Sequence, residues 1–556
     1  MDNIRLLLIM ALAYTGFLLW QAWQEDYGQP VGAATEQAAQ QVETPGSSAG
    51  QSVPEVPSNA AVDKASPAPG ASPAPEAVAG GQLIEVTTDT FRMKIDTRGG
   101  TIVETWLQKY PVSVETPDVK YRLLSRDPAN FFIAQSGLLG ATGTDAPNHE
   151  ALFTTEQTHY SMPDSAQTLD VDLVWTSPKG IKVIKRYTFT RGTHKVLLKH
   201  IVTNASGEPW QGREYHQLQR GEPQKKGNSL MYTYTGGVAW DPEDKYQKYD
   251  FEELAAGELD KEVTGGWIAM IQHYFLGAVI PPKTEPRHFY SKGLANGRYV
   301  IGEYSQAKSV APGEQYQFDA TLWLGPKDQA ALAKIAEGLD LVVDYGWLTI
   351  LAKPIYQILF WINSVVGNWG WTIIIFTILI KAVFFKLSET SYRSMAKMRN
   401  LTPRIQALKD RYGDDKQRLQ AAMMEIYKKE KINPLGGCLP MLIQMPFFIA
   451  FYWVLMESVE LRQAPWILWI KDLSVKDAYY VLPVFMGITM FVQQKLNPAP
   501  PDPMQEKLMM ALPFVFTIMF AFFPSGLVLY WTMNNLLSIA QQWVITKRIE
   551  EQAKKS

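Results

Sequence analysis

The sequence predicts a polytopic α-helical membrane protein, with six spans and a five-helix core bundle, carrying a large water-soluble antiparallel β domain. Three observations predict it. Overall composition is ordinary, 46% hydrophobic and 19% charged over 556 residues, but the apolar residues gather at the two ends while the middle is polar. The middle alternates apolar and polar residues with period two, and the last 190 or so residues hold five long apolar runs.

The first element, residues 1–27, is an N-terminal transmembrane anchor. Ile4 to Trp20 is about long enough to span at ~1.5 Å per residue, with Arg5 before most of it and Glu25 and Asp26 after. Its end, Leu-Leu-Trp20-Gln-Ala-Trp23, lacks the small residues of a signal-peptide cleavage site, so a retained anchor is expected, its N-terminus cytoplasmic.

Residues 28–80 are an expected disordered tether, because Ala, Pro, Gly, Ser, Gln and Glu dominate and no aromatic falls between Tyr27 and Phe91. From Gly81 the pattern becomes strand-like. Phe91, Met93 and Ile95 oppose Arg92, Lys94 and Asp96, and Gly99-Gly100 ends the run. Alternation returns at Leu169, Val171 and Leu173, turns through Ser177 to Gly180, and resumes at Ile181, Val183, Tyr187 and Phe189. Residues 81–345 therefore read as one periplasmic β-sandwich closed by a helix from Gln329 to Leu341. The single cysteine, Cys438, excludes an internal disulfide.

Residues 346–368 read as a helix on the outer surface, aromatic and amphipathic from Leu351 to Val366 and interrupted by Pro354. The five-span core, 369–546, follows as Trp369 to Phe385, Gly436 to Met456, Tyr479 to Leu496, Leu508 to Phe523 and Gly526 to Ile545, with a basic tail at 547–556.

Charge sets the orientation. The loop from Lys386 to Lys431 carries twelve Lys or Arg against six Asp or Glu, whereas Glu457 to Ala478 carries three against four. The first loop and the C-terminus then face the cytoplasm, and the β domain faces the periplasm of a bacterial inner membrane.

The cytoplasmic loop, 386–432, reads as a helical hairpin. Thr402-Pro403 looks like a helix start; Met395, Met398, Ile405, Leu408 and Tyr412 recur at helical spacing, and Gly413 ends the run. Asp414 with Gln417 resembles a capping box for a return helix seamed by Leu419, Met423 and Ile426, until Asn433-Pro434 breaks it. Its basic surface is either a solvated strut or a docking face for an acidic partner.

Lys381 is the only ionisable side chain well inside the bundle, where a lysine costs roughly 2.5–3.5 kcal/mol. Either a hydrated groove surrounds it or its stem snorkels toward the edge marked by Lys386. Thr377 lies one turn earlier, and Gln444, Gln493, Asn534, Asn535, Gln541 and Gln542 stud other spans, as helix glue or as groove lining. No phosphate-binding loop occurs, and the seven histidines all fall in the β domain without metal-ligand spacing, so no cofactor, zinc or ATP site is expected. Glu214 and His216 read as an ordinary surface pair. A net charge of -2 gives no reason to expect DNA binding.

Asn433-Pro-Leu-Gly-Gly-Cys438-Leu-Pro-Met-Leu-Ile-Gln444-Met-Pro446, Met395-Ala-Lys397-Met398-Arg399, Gly413-Asp414-Asp415-Lys-Gln-Arg418, Glu460-Leu-Arg-Gln-Ala-Pro465 and Phe523-Pro-Ser-Gly-Leu-Val-Leu-Tyr530 resemble the Gram-negative branch of the YidC/Oxa/Alb insertase family. The resemblance covers the whole architecture and is densest from about residue 350 to 545. It implies a β-supersandwich, and a non-enzymatic insertase and chaperone whose five helices enclose a hydrophilic groove. Groove positions would be Lys381, Thr377, Gln444, Tyr530, Trp531 and Asn534. Lysine replaces the family's usual arginine at 381 and loses its bidentate fork; tryptophan replaces a usual tyrosine at 531. Implied partners are nascent membrane proteins, the Sec translocon, and signal-recognition-particle receptor and ribosome contacts on the hairpin through Met395, Lys397, Met398, Arg399, Asp414, Asp415 and Arg418. Competing readings are a small-solute transporter or channel with an accessory domain, and an anchored carbohydrate-binding sandwich.

Overall fold

The structure, a computed structural model, describes residues 81–140, 146–223, 233–294, 297–413, 415–430, 439–497 and 503–555. The anchor, the tether, Asp414, Asn433-Pro434 and Cys438 lie outside the described residues, as does the side chain of Arg399.

Alternation builds two stacked sheets. The larger has eleven strands: Asp260–Thr264, Pro286–Leu294, Arg298–Ser305, Trp210–Gly221, Phe132–Gly140, Thr101–Pro111, Phe91–Asp96, Leu83–Thr87 and His159–Ser161 in spatial order, with Lys308–Val310 and Lys120–Leu124 pairing off this path. The smaller runs Lys245–Tyr249, Gly236–Asp241, Trp267–Ile271, Phe275–Ile280, Gln315–Pro326, Lys195–Asn204, Ile181–Thr190, Thr168–Thr176. Phe91, Met93, Ile95, Val171, Leu173, Tyr187 and Phe189 are buried together between them, as period two demands. Gly99 and Gly100 take φ of +70° and +59°, and a Cβ on Gly99 would lie 2.2 Å from the His149 carbonyl oxygen. Asp96 departs from its expected polar face: it is buried and paired with Arg126.

Helices α1 (Phe251–Ala256) and α2 (Gln329–Ile335) belong to the sandwich; the second is shorter than expected and passes into a 3-10 turn, Leu339–Val342. Then come α3 (Thr349–Val366), α4 (Trp369–Val383), α5 (Phe385–Tyr412), α6 (Lys416–Lys429), α7 (Leu439–Glu457), α8 (Val481–Leu496), α9 (Pro503–Phe520) and α10 (Ser525–Lys555). One apolar core runs continuously from Trp240, Trp267 and Trp323 of the sandwich through Leu339, Val342, Ile355 and Leu359 to Phe376, Phe451 and Leu529 of the bundle.

Among the described residues, one helical stretch is by itself long and apolar enough to cross a membrane, Gly346–Val366, the segment expected on the surface. Helix α4 passes the same test only together with the start of α5, to which it is bent by 65°.

The hairpin corrects two local expectations. Thr402-Pro403 starts no helix, since α5 runs through Pro403 for 28 residues. The lost Pro403 hydrogen bond is tolerated because Leu401 and Ile405, on either side, pack with Tyr427 and partly with Met398, Met423 and Ile426. The N-cap of α6 is Asp415, whose carboxylate accepts from Arg418 N at 3.0 Å, one residue later than the capping box predicted.

Candidate functional site

Helix α4 starts on an Asn368 cap and ends at the bend before Phe385. The bend matters because it turns the chain away from the axis of α4 just after Lys381. Turned away, α5 instead lays Ser388, Ser391, Tyr392 and Met395 across the end of a cavity of about 330 Å³. Lys381, Gln444, Tyr530, Trp531 and Asn534 all line it, together with Gln493, Gln494, Asn497, Asn535 and Ser538. None of its lining residues among those described is acidic.

The lysine is 5% exposed, and its Nζ donates to Ser538 Oγ at 2.8 Å. Ser538 in turn donates to the Asn534 carbonyl at 2.7 Å, and Gln541 Nε2 reaches the Lys381 carbonyl at 3.3 Å. The ammonium is thus held between helices by one neutral hydroxyl. Sequence reading missed Ser538; its signal was the spacing, four residues after Asn534 and three before Gln541, which puts all three on one helical face.

Thr377 is placed differently. It is buried, and its hydroxyl back-bonds to the Ile373 carbonyl at 2.6 Å; it is not among the cavity's lining residues.

Aromatic rings close the cavity on the side of the β domain. Phe376 stacks on Phe451 at 5.2 Å and 9°, Phe451 meets Tyr530 at 4.4 Å, and Trp531 lies 4.5 Å from Phe448 and 5.3 Å from Phe520. Trp531 Nε1 and Gln541 Oε1 are buried with no hydrogen-bond partner among the described residues.

On the hairpin, Lys397 is exposed and Met398 half-buried in the seam, while Arg418 is exposed beside Asp415 at 3.2 Å. Arg404 ties the two helices to Glu430 at 2.9 Å.

The Glu214–His216 expectation is overturned. Both are fully buried, and folding brings His200 beside them, so that potential ligand atoms of all three lie within 4.8 Å of one another. Neighbouring strands create this spacing, which a linear reading cannot show. Cationic side chains already meet the carboxylates: Arg287 Nη1 is 3.2 Å from Glu214 and 3.4 Å from Glu303, and His216 Nδ1 is 2.5 Å from Glu303. Burial would push His216 down, but Glu214 and Glu303 hold it up at about 9. Burial likewise opposes ionisation of Glu214, yet His216 and His200 hold its carboxyl well below the usual range.

Two family models match successive parts of the chain. The family model for the YidC periplasmic domain matches residues 83–358, and that for the 60Kd inner membrane protein matches 361–553. The chain is 53% identical to a membrane protein insertase YidC of Thioalkalivibrio sulfidiphilus over the full length of both, and 46% identical to one of Nitrosococcus oceani over 99% of this chain and 100% of the other. A crystal structure of an active YidC insertase aligns at 17% identity and a TM-score of 0.39, covering 83% of this chain and 94% of that one. With its two halves matched by those two models and its whole length by those relatives, this chain belongs to the YidC family of inner-membrane proteins.

Proposed function

We propose that this protein is a membrane protein insertase that gives the polar tail of a nascent substrate a hydrated half-path across the bilayer. The observation that carries the reading is Lys381: a cation held by Ser538 in a polar-lined cavity that offers it no carboxylate among the described residues. A substrate's acidic residues would supply the missing counter-charge. Trp531, whose Nε1 is unpaired among the described residues, lines the same cavity.

The tail enters from the cytoplasmic side, and the stacked Phe376, Phe451 and Tyr530 close the outer side. The substrate's apolar helix, gaining about 0.3–0.6 kcal/mol for each Leu, Ile, Phe or Val near mid-membrane, then slides into lipid past Trp531. Thr377, back-bonded within α4, shapes the helix face beneath it. No nucleotide is required by this route.

The same reading assigns six spans: the anchor, α4 with the start of α5, α7, α8, α9 and α10. Both termini face the cytoplasm and the β domain the periplasm. Helix α3 lies along the outer surface: Ala352, Ile355, Tyr356, Leu359 and Ile362 are buried, while Ile350, Phe360, Trp361 and Val365 are exposed toward the headgroups. The exposed Lys397 and Arg418 belong to a hairpin that meets the Sec translocon, the targeting receptor or the ribosome.

Insertion of a short acidic-tailed substrate into vesicles tests the proposal. Lys381→Ala should slow it and Lys381→Glu should block it; undiminished insertion in both would overturn the electrostatic route. Crosslinks from Asn534 to the nascent chain support it, whereas solute flux with no crosslink would favour a transporter.

A further inference from the structure

The β domain carries a second cavity, of about 470 Å³, far from the groove in sequence and lined by a different chemistry. It is built by the larger sheet. Along Phe132–Gly140 the even-numbered Phe132 and Ala134 enter the sandwich core, so Phe131, Ile133 and Gln135 stand on the opposite face. Register then adds Gln219, paired with Ile133, and Thr101 and Val103 from the neighbouring strand. The turn after Asp96 supplies Arg98, and Arg126 and Arg298 stand at the rim.

This face is turned away from the core, yet its residues are not solvated like an outer sheet surface. Val103, Phe131, Ile133, Thr101 and Gln219 are 1%, 7%, 7%, 4% and 6% exposed. The lining is mostly polar: Val103, Phe131 and Ile133 form its apolar part, and the carboxylates of Asp96 and Glu150 and the ring of His149 stand among its three arginines, two amides and one hydroxyl.

Its charges are unequally paired. Arg126 is met by Asp96, and Arg298 lies 3.8 Å above the Phe131 ring, while neither Arg298 nor Arg98 has a carboxylate partner among the described residues. Gln219 is 6% exposed as a residue and lines the cavity, to which its side-chain amide is open. Burial, then the nearby Lys185 and Arg98, holds His149 down at about 4, so its ring is neutral near pH 7.

We propose that this cavity binds a small hydroxycarboxylate, its carboxylate held by Arg98 and Arg298 and its hydroxyl or carbonyl oxygens by Gln219, Gln135 and Thr101. Guanidinium forks match carboxylates in a plane, and the amides and hydroxyl suit neutral oxygens. The apolar floor of Val103 and Ile133 takes the carbon skeleton. The cavity's volume limits the ligand to metabolite size.

Calorimetric titration of the full chain in nanodiscs tests this, with gluconate and citrate as probes, glucose as the neutral twin of gluconate, and inorganic phosphate at matched ionic strength as a rival anion. The expected result is saturable binding of at least one carboxylate, glucose silent and phosphate at least about tenfold weaker, the discrimination of one lost charged contact. Arg98→Gln should weaken binding about tenfold or more, and Gln219→Glu should abolish it by adding a carboxylate, with melting temperatures recorded to show that both variants fold. Binding of neither probe would overturn the proposal, as would binding that both folded variants retain. Phosphate binding as tight as carboxylate would overturn the assignment of ligand class.

Discussion

Lys327 Nζ lies 3.7 Å from Glu457 Oε2 with both side chains buried, joining the last strand-to-helix turn of the β domain to the end of α7. Around this pair, His273 Nε2 donates to the Met456 carbonyl at 2.9 Å, Arg462 donates to Pro111 O at 2.6 Å, and Tyr356 donates to Glu460 at 2.7 Å. Charge, carbonyl and ring contacts thus hold domain and bundle together over one apolar core.

Removing one member of that pair strands the other. Lys327→Met or Glu457→Gln should each destabilise the junction by about 3–5 kcal/mol, while the double change to Met and Leu should recover most of it. Limited proteolysis of the 327–347 segment in detergent reads the effect; equal cleavage of wild type and single variants would show the pair to be idle.

The sandwich and the helices were legible because period two and long apolar runs are local signals. Phe91, Met93 and Ile95 turn inward as their alternation required, and the helix from Val481 to Leu496 falls within its apolar run. What escaped was non-local. The seat of Lys381 on Ser538 and the joining of His200 to Glu214 and of His216 to Glu303 depend on separate elements, and the 65° bend after Val383 carries no proline or glycine to announce it. Pro403 misled for a related reason: a proline signals a helix start only where packing does not carry the helix through it.

The buried network makes the β domain's pH profile predictable. His216, raised from 6.5 to about 9, contributes stability in full below pH 6.5 that is lost as pH rises through 9. Burial holds Lys185 down at about 7, where its ammonium donates to Gly99 O at 2.7 Å and Ser136 O at 3.0 Å. Its unfolded form binds a proton between pH 7 and 10.5 that its folded form has released, so its contribution rises across that range. Between pH 7 and 9 the two oppose each other. Calorimetric melting should therefore be nearly flat for wild type, fall with pH in Lys185→Met, and rise with pH in His216→Gln; parallel profiles in all three would refute the assignment.

On the acid side, burial holds His149 and His200 near 4. Both must take up a proton on unfolding between pH 6.5 and 4, so stability falls as pH drops through that window. Replacing His200 by Gln, which keeps a donor toward Glu214, should remove only its part of that slope, His149 supplying the rest; an acid limb as steep as wild type in calorimetric melting would refute the role of His200.

Close helix approach near the groove depends on Gly487, where a Cβ would sit 2.0 Å from Thr517 Oγ1. Gly487→Ala should force α8 and α9 apart at a cost of about 1–3 kcal/mol, and Thr517→Ala in the same chain should relieve part of it. Thermal unfolding in detergent measures both; additive effects would mean the two residues are not in contact.

Phe451 stacks on Phe376 and meets Tyr530, a ring that lines the cavity. It is 1% exposed, so Phe451→Ala removes a buried ring at a cost of about 3–5 kcal/mol and opens a void in the seal. Water and small thiol reagents should then reach a cysteine placed at Asn534 from the periplasmic side, which the intact stack blocks. Phe451→Leu, which keeps much of the volume, should preserve the block. Equal labelling of the cysteine in wild type, Phe451→Leu and Phe451→Ala would show that the barrier lies elsewhere in the bundle.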